Sequence, residues 1–458
     1  MSCINPAIFR MYDIRGIVST DLSADTVRQV GHAFASRASA QNNNIVVIGR
    51  DGRLHSEQLA RALAEGLQAG GCDVIDIGMV PTPVLYFASH HFNTGTGIMI
   101  TGSHNPPEYN GLKILLAGDT LYGDDITDLY TRIEAGHLTQ GNGSYRTEQV
   151  LDAYLARIVS GIKLERPMNI AIDCGNGAAS VIATELFQRL GCTVTELFCN
   201  VDGSFPNHHP DPSKLENLKD ICATIKENKL DLGLAFDGDG DRVGVIDNKQ
   251  HVIWPDRQMI LYAEDVLSRN PGAQIIYDVK SSYHLGNAIT ERGGSPLMWK
   301  SGHSLLKAKM KETGALLAGE MSGHIFFKDR WYGFDDGLYS AARMLEILSQ
   351  KSQAADEIFG ALPDSYNTPE LQIHFAEGEH YKFMDVFKQK AVFNNASISR
   401  IDGMRVNWDK GWGLIRPSNT TPCLVLRFEA EDEATLNDIQ AIFREQILRI
   451  DKHLNLPF

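Results

Sequence analysis

The chain has 458 residues, a length that corresponds to about three domains of ordinary size. Its 57 acidic side chains outnumber its 43 lysines and arginines, which gives a formal net charge of -14. A composition of 43% hydrophobic and 22% charged residues excludes a disordered or fibrous chain. The negative charge argues against general binding to nucleic acid or to anionic membranes, because the field of the whole molecule repels phosphate.

Cysteine usage and the N-terminal sequence indicate a reducing compartment. The seven cysteines are dispersed and form no C-x-x-C pair. The N-terminal sequence MSCINPAIFRMYDIRG lacks the basic segment and apolar run of a secretory signal. No apolar stretch approaches the ~18 residues that a membrane helix needs. We therefore predict a cytoplasmic protein without membrane or nucleic-acid partners.

A strand–helix–strand pattern occurs three times along the chain. Each copy has an apolar strand, a polar loop, a helix that ends at glycine and a second strand. The first strands begin at Ile45, Asn169 and Gln274, and the helices end at glycines 70–71, 191 and 293–294. Helical crossovers of this length predict largely parallel sheets.

The last ninety or so residues show shorter strand patterns and one amphipathic helix. The predicted fold is therefore α/β, with three related α/β domains of mixed, largely parallel sheets and a C-terminal α+β domain. The predicted domains span residues 1–150, 151–253, 254–365 and 366–458.

The motif D-G-D-G-D-R, which begins at Asp237, lies between two apolar strand patterns. Carboxylates that converge must bind a cation or repel one another. An EF-hand is excluded, because its glycine and glutamate positions hold Arg242 and Asn248. Asp237, Asp239 and Asp241 instead suit Mg²⁺, which keeps water or phosphate in its shell. The alternative is an acidic hairpin turn, since D-G pairs are common in turns.

The motif T-G-S-H-N-P at 101–106 follows an apolar run, which displays Ser103 at the end of a strand. A serine needs a nearby base, cation or metal to act as a nucleophile, and His104 and Lys113 are candidate partners. The sequence does not match G-x-S-x-G, which disfavours an ester hydrolase. The alternative is a turn that Ser, Asn and Pro favour by their own chemistry.

Two further motifs contain polar side chains suited to a sugar phosphate. G-E-M-S-G-H, at 319–324, offers Glu, Ser and His to adjacent sugar hydroxyls. R-P-S-N-T-T-P, at 416–422, combines one guanidinium with hydroxyls and loop amides, a combination that predicts a phosphate-binding loop. Each motif is also consistent with a glycine- or proline-bounded turn.

A nucleotide cofactor is disfavoured by the motifs. The chain contains no G-K-[ST], so the phosphate loop of ATPases is absent. Gly175 and Gly177 follow a predicted strand, and Glu196 lies about twenty residues on, which matches half of a dinucleotide fingerprint. Ser180 replaces the third glycine of that fingerprint.

The four motifs, in this order and one per predicted domain, resemble the α-D-phosphohexomutase superfamily over essentially the whole chain. The segments Tyr12-Asp-Ile-Arg15-Gly16 and Lys300-Ser-Gly-His303 are similar to further elements of that family. The wording G-E-M-S-G is most similar to the bacterial phosphomannomutase/phosphoglucomutase group. The family fold places three α/β domains and a C-terminal domain around one active-site cleft, which agrees with the repeat.

The resemblance implies a role for each motif. Ser103 would be phosphorylated in the resting enzyme, and Mg²⁺ would be held by a phosphoserine oxygen and by Asp237, Asp239 and Asp241. The sugar would be bound by Glu320, Ser322, His303 and His324, and the remote phosphate would be bound by Arg416, Ser418, Asn419, Thr420 and Thr421. Candidates for acid–base and other substrate contacts are His104 and Lys113, then Tyr12, Arg15, Arg242, Lys280, His303 and His324.

The implied function is the reversible interconversion of hexose 1-phosphate and hexose 6-phosphate, with mannose, glucose or both as the sugar. The phosphoserine would give its phosphoryl group to the sugar, and hexose 1,6-bisphosphate would turn over in the cleft before returning the other group. A phosphoglucosamine mutase and a phosphoserine-dependent sugar phosphatase are the alternatives. We expect small hexose phosphates as the partners and a monomer, with a dimer left open.

Overall fold

A computed structural model describes residues 4–419 and 421–458. Within these ranges the chain forms four successive units, each built around its own sheet. No helix in the described ranges is both long and apolar enough to cross a lipid bilayer.

The first unit has helices on both faces of a mixed sheet. Its strands are β1 (Ile14–Ile17), β2 (Ile45–Arg50), β3 (Asp73–Met79), β4 (Gly97–Ile100), β5 (Tyr109–Leu116), β6 (Asp119–Thr120) and β7 (Tyr145–Thr147). Its helices are α1 (Ala24–Ser39), α2 (Ser56–Ala69), α3 (Thr82–His91) and α4 (Asp124–Glu134). Successive side chains of β2 point to opposite faces, so Val46 and Ile48 pack in one core and Val47 in another.

The second and third units are smaller. The second contains α5 (Leu151–Gly161), β8 (Asn169–Asp173), α6 (Ala183–Arg189), β9 (Thr193–Leu197), α7 (Lys219–Asn228), β10 (Leu232–Phe236), β11 (Val243–Asp247) and β12 (Val252–Ile253). The third contains α8 (Pro255–Arg269), β13 (Gln274–Asp278), α9 (Tyr283–Glu291), β14 (Ser295–Trp299), α10 (His303–Thr313), β15 (Leu317–Gly319), β16 (Ile325–Phe327), α11 (Gly337–Ser349) and α12 (Ala355–Gly360).

The sheets of the first three units share one strand order. It runs β3-β2-β4-β5 in the first unit, β9-β8-β10-β11 in the second and β14-β13-β15-β16 in the third. In each, the first three strands are parallel and the fourth is antiparallel to the third. The predicted repeat therefore extends beyond strand–helix–strand to a fourth strand.

Glycine ends the repeated helices as the sequence predicts. The residue one or two positions past α2, α6 and α9 has a left-handed backbone, with φ of 92° at Gly71, 92° at Gly191 and 75° at Gly293. Side chains other than hydrogen disfavour this conformation, which explains the use of glycine at the end of each helix.

The fourth unit is an antiparallel sheet covered by two helices. Its elements are β17 (Tyr366–Asn367), β18 (Leu371–His374), α13 (Glu379–Lys390), β19 (Ser397–Ser399), β20 (Met404–Trp408), β21 (Gly411–Pro417), β22 (Cys423–Ala430) and α14 (Glu433–Ile450). Ile439, Phe443 and Ile447 of α14 are buried against the sheet, as their helical spacing predicts. Arg416 and Pro417 end strand β21 and do not form part of a free loop.

An arginine of the fourth unit fixes a loop of the third. The Arg405 guanidinium donates hydrogen bonds of 2.7 Å to the carbonyls of Val279 and Ser281. Its carbon lies 3.7 Å from the centre of the Trp412 ring. Arg427 donates to the carbonyl of Lys280 in the same segment. The fourth sheet therefore holds in place the loop that carries Lys280.

Candidate active site

Three of the predicted motifs lie at equivalent positions of the repeated topology. Each connects the third strand of its sheet to the antiparallel fourth strand: 101–108 joins β4 to β5, 237–242 joins β10 to β11, and 320–324 joins β15 to β16. Ligand sites of parallel α/β sheets form at the carboxyl ends of the strands. A bridge between Arg242 and His324 and a hydrogen bond between Ser103 and Asp237 bring the three loops together.

Ser103 lies at the centre of this junction and is 3% exposed. Its Oγ donates to Asp237 Oδ2 at 3.1 Å and lies 3.2 Å from Nδ1 of His104. Its backbone is left-handed, with φ of 48°, and its N–H donates to Oγ1 of Thr101 at 2.8 Å. Such a conformation costs about 1–3 kcal/mol for a residue other than glycine, and it persists only where the surroundings fix it.

Arg53 supplies much of that fixation. Its guanidinium donates to four carbonyls of the serine loop: Ser103 at 2.7 Å, Asn105 at 2.6 Å, Pro106 at 2.6 Å and Tyr109 at 3.0 Å. Asp51 contributes by accepting from the N–H of Gly102 at 3.1 Å. Sequence reasoning did not identify either residue as part of the site. The polar D-G-R at 51–53, directly after a buried strand, was the available signal.

The serine loop and the aspartate loop meet backbone to backbone. A Cβ added to Gly238 would lie 2.3 Å from the carbonyl oxygen of Ser103, so only glycine allows this approach. Thr82 holds the other side of the aspartate loop, since its N–H donates to the carbonyl of Asp239 at 2.8 Å and its hydroxyl to Oδ2 at 2.5 Å.

The three carboxylates of the aspartate loop are fully buried and converge. Asp237, Asp239 and Asp241 each offer an oxygen within 4.8 Å of the others. Lys113 Nζ donates to Asp239 at 2.7 Å and also to Asp241, and Arg242 donates to Asp237 at 2.9 and 3.0 Å. Oδ1 of Asp239 and Oδ1 of Asp241 have no hydrogen-bond partner among the described residues. These orphaned oxygens fit a hard divalent cation.

Burial and paired charges set the protonation of this cluster. Burial raises the pKa of Asp237 to about 7. Burial also opposes the ionisation of Asp239, but the Lys113 ammonium outweighs it and holds the pKa of Asp239 below its usual range. Burial would lower the pKa of Lys113. The negative charges of Asp239 and Asp241 outweigh this effect and hold the pKa of Lys113 well above its usual value. Burial lowers the pKa of His104, so His104 is neutral at pH 7 and Lys113 is a cation.

A pair of histidines extends the cluster toward the third unit. His324 Nδ1 lies 3.1 Å from Asp335 Oδ2 and 3.6 Å from Asp241 Oδ1, and these carboxylates raise the pKa of His324 against the effect of burial. The ring of His303 stacks on that of His324 at 5.3 Å between centroids. Sequence reasoning missed Asp335, which no local motif marks. Lys307 donates to its second oxygen at 2.9 Å.

Glu320 and Ser322 lie side by side. Ser322 Oγ donates to Glu320 Oε2 at 3.2 Å, and the other carboxylate oxygen accepts from the N–H of Gly302. Burial raises the pKa of Glu320. The two side chains therefore present an acceptor and a hydroxyl at one point of the cleft.

Five further predicted residues form a second group, the arginine–tyrosine cluster, which consists of Tyr12, Lys280, Arg416, Ser418 and Asn419. Tyr12 Oη donates to the carbonyl of Ser301 at 2.9 Å and accepts from Asn419 Nδ2 at 2.5 Å. Ser418 Oγ accepts from the N–H of Thr421 at 3.2 Å. Thr420 lies outside the described residues.

The two cations of the arginine–tyrosine cluster are paired with carboxylates. Arg416 Nε donates to Asp402 at 2.9 Å, and Lys280 Nζ donates to Glu370 at 2.6 Å. Asp402 lies between β19 and β20, and Glu370 lies just before β18. A cavity of about 740 Å³, lined by Lys280, Ser322 and Glu370, adjoins the cluster. The predicted cations thus lie in two groups, one at the aspartate loop and one in the arginine–tyrosine cluster.

Arg15 belongs with the serine loop and not with the second cluster. Its guanidinium donates to Oδ1 of Asn105 and to Asp13. Tyr12, three residues earlier, contacts the second cluster. The segment from Tyr12 to Arg15 therefore connects Asn419 with Asn105 of the serine loop, which explains why both of its polar residues lie near the site.

Comparison with known families covers nearly the whole chain. Four family models of phosphoglucomutase/phosphomannomutase match the chain in order. They are alpha/beta/alpha domain I at residues 6–139, domain II at 152–250, domain III at 254–366 and the C-terminal domain at 368–446. The chain belongs to this family.

Individual relatives are similar over their full length. A phosphomannomutase/phosphoglucomutase of Pseudomonas putida is 52% identical, with 99% of this chain and 98% of the relative covered. A phosphoglucomutase of Neisseria gonorrhoeae is 49% identical, with 100% of each covered. The crystal structure of a phosphoglucomutase/phosphomannomutase family protein from Burkholderia thailandensis superposes with a TM-score of 0.95 at 51% identity, and 100% of each chain is covered.

These findings confirm the resemblance to the α-D-phosphohexomutase superfamily and to its bacterial phosphomannomutase/phosphoglucomutase group. They also confirm the predicted fold class of three related α/β units and a C-terminal unit. The roles of single residues rest on the geometry described above.

The contact between Gly238 and Ser103 leads to a testable expectation. Gly238→Ala inserts a methyl group 2.3 Å from a backbone oxygen, so the loops must separate. Overpacking of this kind costs about 1–3 kcal/mol of stability, which a lower urea midpoint would report. Gly360→Ala is the matched control, since its added carbon meets nothing within 4 Å. Equal midpoints for the two variants would contradict the backbone contact.

Proposed function

We propose that the protein interconverts hexose 1-phosphate and hexose 6-phosphate, with both mannose and glucose as sugars, through a phosphoserine at position 103. The observation that carries the proposal is the hydrogen bond of 3.1 Å from Ser103 Oγ to Asp237, one of the aspartate trio, beside buried Lys113 and Arg242. A phosphoserine carries about −1.5 to −2 charges and needs such cations close by. The names of the Pseudomonas and Neisseria relatives support this choice of substrates.

Mg²⁺ is the cation that we assign to Asp237, Asp239 and Asp241. Their buried oxygens, two of them without hydrogen-bond partners among the described residues, support a hard oxygen-liganded ion. When bound, Mg²⁺ would offset the charge that spreads over a transferred phosphoryl group. Lys113 and Arg242, which already contact these carboxylates, would stabilise the same charge from the protein side.

The cycle keeps atoms and charge in balance. The bond between phosphorus and Ser103 Oγ breaks while the oxygen of a free sugar hydroxyl loses its proton and forms the new bond to phosphorus, and Ser103 Oγ takes up a proton. The product is hexose 1,6-bisphosphate, which turns end over end in the cleft. Ser103 Oγ then gives up its proton and forms a bond to the other phosphoryl group, and the sugar oxygen that this group leaves takes up a proton. The enzyme returns to its starting state, and the sugar leaves with its phosphate moved.

Two histidines are placed for the protons. Neutral His104 lies 3.2 Å from Ser103 Oγ and can exchange a proton with that oxygen. His324, whose Nδ1 lies 3.1 Å from Asp335 Oδ2, contacts the same cluster from the third unit, and we assign it to the sugar hydroxyl. Lys113 is held as an ammonium by two carboxylates, so it suits charge stabilisation and not proton abstraction.

The arginine–tyrosine cluster would hold the phosphate that is not being transferred. Arg416 offers a guanidinium for bidentate contacts, and Ser418, Asn419 and Thr421 add hydroxyl, amide and backbone donors. Glu320 and Ser322 would bind sugar hydroxyls that both orientations share. A second fixed site is needed, because one serine must serve both ends of the sugar.

The predicted domain boundaries at residues 150, 253 and 365 are consistent with these roles. They place the serine, aspartate, sugar and phosphate loops in four successive domains. A monomer, with a dimer left open, stays the prediction for the oligomeric state. The cytoplasmic location and the lack of nucleic-acid or membrane partners stay predictions.

Replacement of the serine hydroxyl tests the covalent route. Ser103→Ala should abolish turnover, because no atom remains to carry the phosphoryl group, while glucose 1-phosphate still binds in calorimetry. Ser160→Ala, an exposed serine on α5, is the matched control and should retain activity. The intact mass of the wild type should show a gain of one phosphoryl group. Mapping of that group should place it at Ser103 only. Normal turnover by Ser103→Ala would overturn the proposal.

Removal of one carboxylate tests the metal assignment. Asp239→Asn should weaken Mg²⁺ binding by more than about 100-fold, since even groups behind the ligands contribute about 10- to 100-fold. Calorimetric titration of the free protein with Mg²⁺ measures this directly. Asp152→Asn, on the surface of α5, should bind as the wild type does. Equal affinity in both variants would contradict the site.

The remote phosphate site makes a separate expectation. Arg416→Ala removes a charge-assisted contact of about 1.5–3 kcal/mol, so KM should rise about 10- to 100-fold with a smaller change in kcat. Arg416→Lys keeps the charge but loses the bidentate geometry of the guanidinium. Its KM should lie between the values for the wild type and for Arg416→Ala. Arg449→Ala on the exposed end of α14 is the control. An unaltered KM in Arg416→Ala would misplace the phosphate site.

A further inference from the structure

Two cysteine thiols of the second unit face each other. Cys174 follows β8 and Cys199 follows β9, and their sulfur atoms are 3.4 Å apart. Cys174 is fully buried, whereas Cys199 is half-buried and also contacts the carbonyl of Leu197 at 3.3 Å. Among the described cysteines, this is the only pair whose thiols are hydrogen-bonded to each other.

The backbone around the pair suits a covalent link. β8 and β9 are adjacent and parallel, with Asp173 opposite Leu197, so the two cysteines leave the same edge of the sheet. The N–H of Cys174 donates to the carbonyl of Leu197 at 3.2 Å, which holds the two chain segments together. The sulfur atoms need to approach only from 3.4 Å to about 2.05 Å for a disulfide.

We propose that Cys174 and Cys199 are a modification site, a dithiol that a peroxide converts reversibly into a disulfide and whose oxidation distorts the aspartate loop. Cysteine pairs of this kind outside secreted proteins are typically redox-sensing and not structural. Other cysteines of the chain have different surroundings: Cys222, for example, is half-buried and contacts the carbonyl of Gln250.

The chemistry uses one equivalent of hydrogen peroxide. The Cys199 thiolate, on the more accessible side, attacks one peroxide oxygen, the O–O bond breaks, and hydroxide leaves as a sulfenic acid forms. The Cys174 sulfur then attacks the sulfenic sulfur, the S–O bond breaks, and the oxygen leaves as water with the Cys174 proton. Two thiols and one peroxide thus give one disulfide and two waters.

The buried partner suits the second step. The neighbouring Cys199 and burial raise the pKa of Cys174, so this thiol stays protonated until the other sulfur has been oxidised. The order of attack therefore follows from the positions of the two side chains, with Cys199 oxidised first and Cys174 resolving.

The turn that begins at Cys174 supports the aspartate loop. The N–H of Ala178 donates to the carbonyl of Gly238 at 2.9 Å, and the turn is closed by a bond of 2.7 Å from the N–H of Gly177 to the carbonyl of Cys174. Any Cβ at Gly177 would lie 2.8 Å from the same Gly238 oxygen, so the two backbones are in tight contact. A new bond at Cys174 therefore pulls on the loop that contacts Ser103.

The effect on activity rests on the proposed function, whereas the disulfide itself does not. A displacement of 1 Å at a catalytic group costs about 100-fold in rate, so a shift of a few tenths of an ångström should cost about tenfold. We expect peroxide to lower hexose-phosphate mutase activity by this factor and dithiothreitol to restore it.

The experiment treats the full-length protein with one equivalent of hydrogen peroxide and follows mass and activity in parallel. The wild type should lose the mass of two hydrogen atoms, and peptide mapping without reduction should give one Cys174–Cys199 cross-link. Cys174→Ser should instead accumulate a sulfenic acid at Cys199 that dimedone traps. Cys199→Ser should show neither product and should keep its activity in peroxide.

The matched control is Cys222→Ser, a half-buried cysteine of the same unit, which should form the cross-link as the wild type does. If Cys174→Ser does not fold, dimedone trapping in the wild type during the first seconds gives the same information. Absence of the cross-link, or links among other cysteines, would overturn the modification site. A cross-link without loss of activity would overturn the coupling, while an inactive reduced enzyme would instead refute the proposed function.

Discussion

The backbone of Gly238 lies against the carbonyl of Ser103, and this contact joins loops from two different sheets. It places a serine hydroxyl beside three buried carboxylates, an arrangement that electrostatic repulsion would otherwise oppose. Lys113 and Arg242 make it possible, because each neutralises carboxylates of the trio through direct hydrogen bonds. The proposed chemistry depends on this balance, since the cations that stabilise the aspartate loop would also contact a phosphoryl group on Ser103.

Repetition explains why the loops meet. The first three units place a functional loop at the same point of the same strand order, between the third parallel strand and its antiparallel neighbour. One topology therefore supplies a serine, a trio of aspartates and a glutamate–serine pair in turn, each from its own sheet. The fourth unit is built differently, and its contribution begins at the end of strand β21 with Arg416.

Sequence patterns predicted those parts of the molecule that are local. Strands such as β2 and β10 are short apolar runs, the helix ends carry glycine, and each functional motif is contiguous along the chain. The sequence did not predict Arg53 or Asp335, because both act through contacts with distant segments. Arg53 contacts four carbonyls of the serine loop, and Asp335 lies beside two histidines. The pairing of Lys280 with Glu370 likewise could not be predicted from local sequence patterns, since ninety residues separate the two.

The left-handed backbone at position 103 limits which amino acid can serve there. Threonine carries the same reactive oxygen, but its branched Cβ strongly disfavours a positive φ. Conservative exchange of one alcohol for the other would therefore be resisted by conformation alone, before any question of reactivity arises. The turn therefore restricts which substitutions position 103 can accept, and it ties the identity of this residue to the conformation of the main chain.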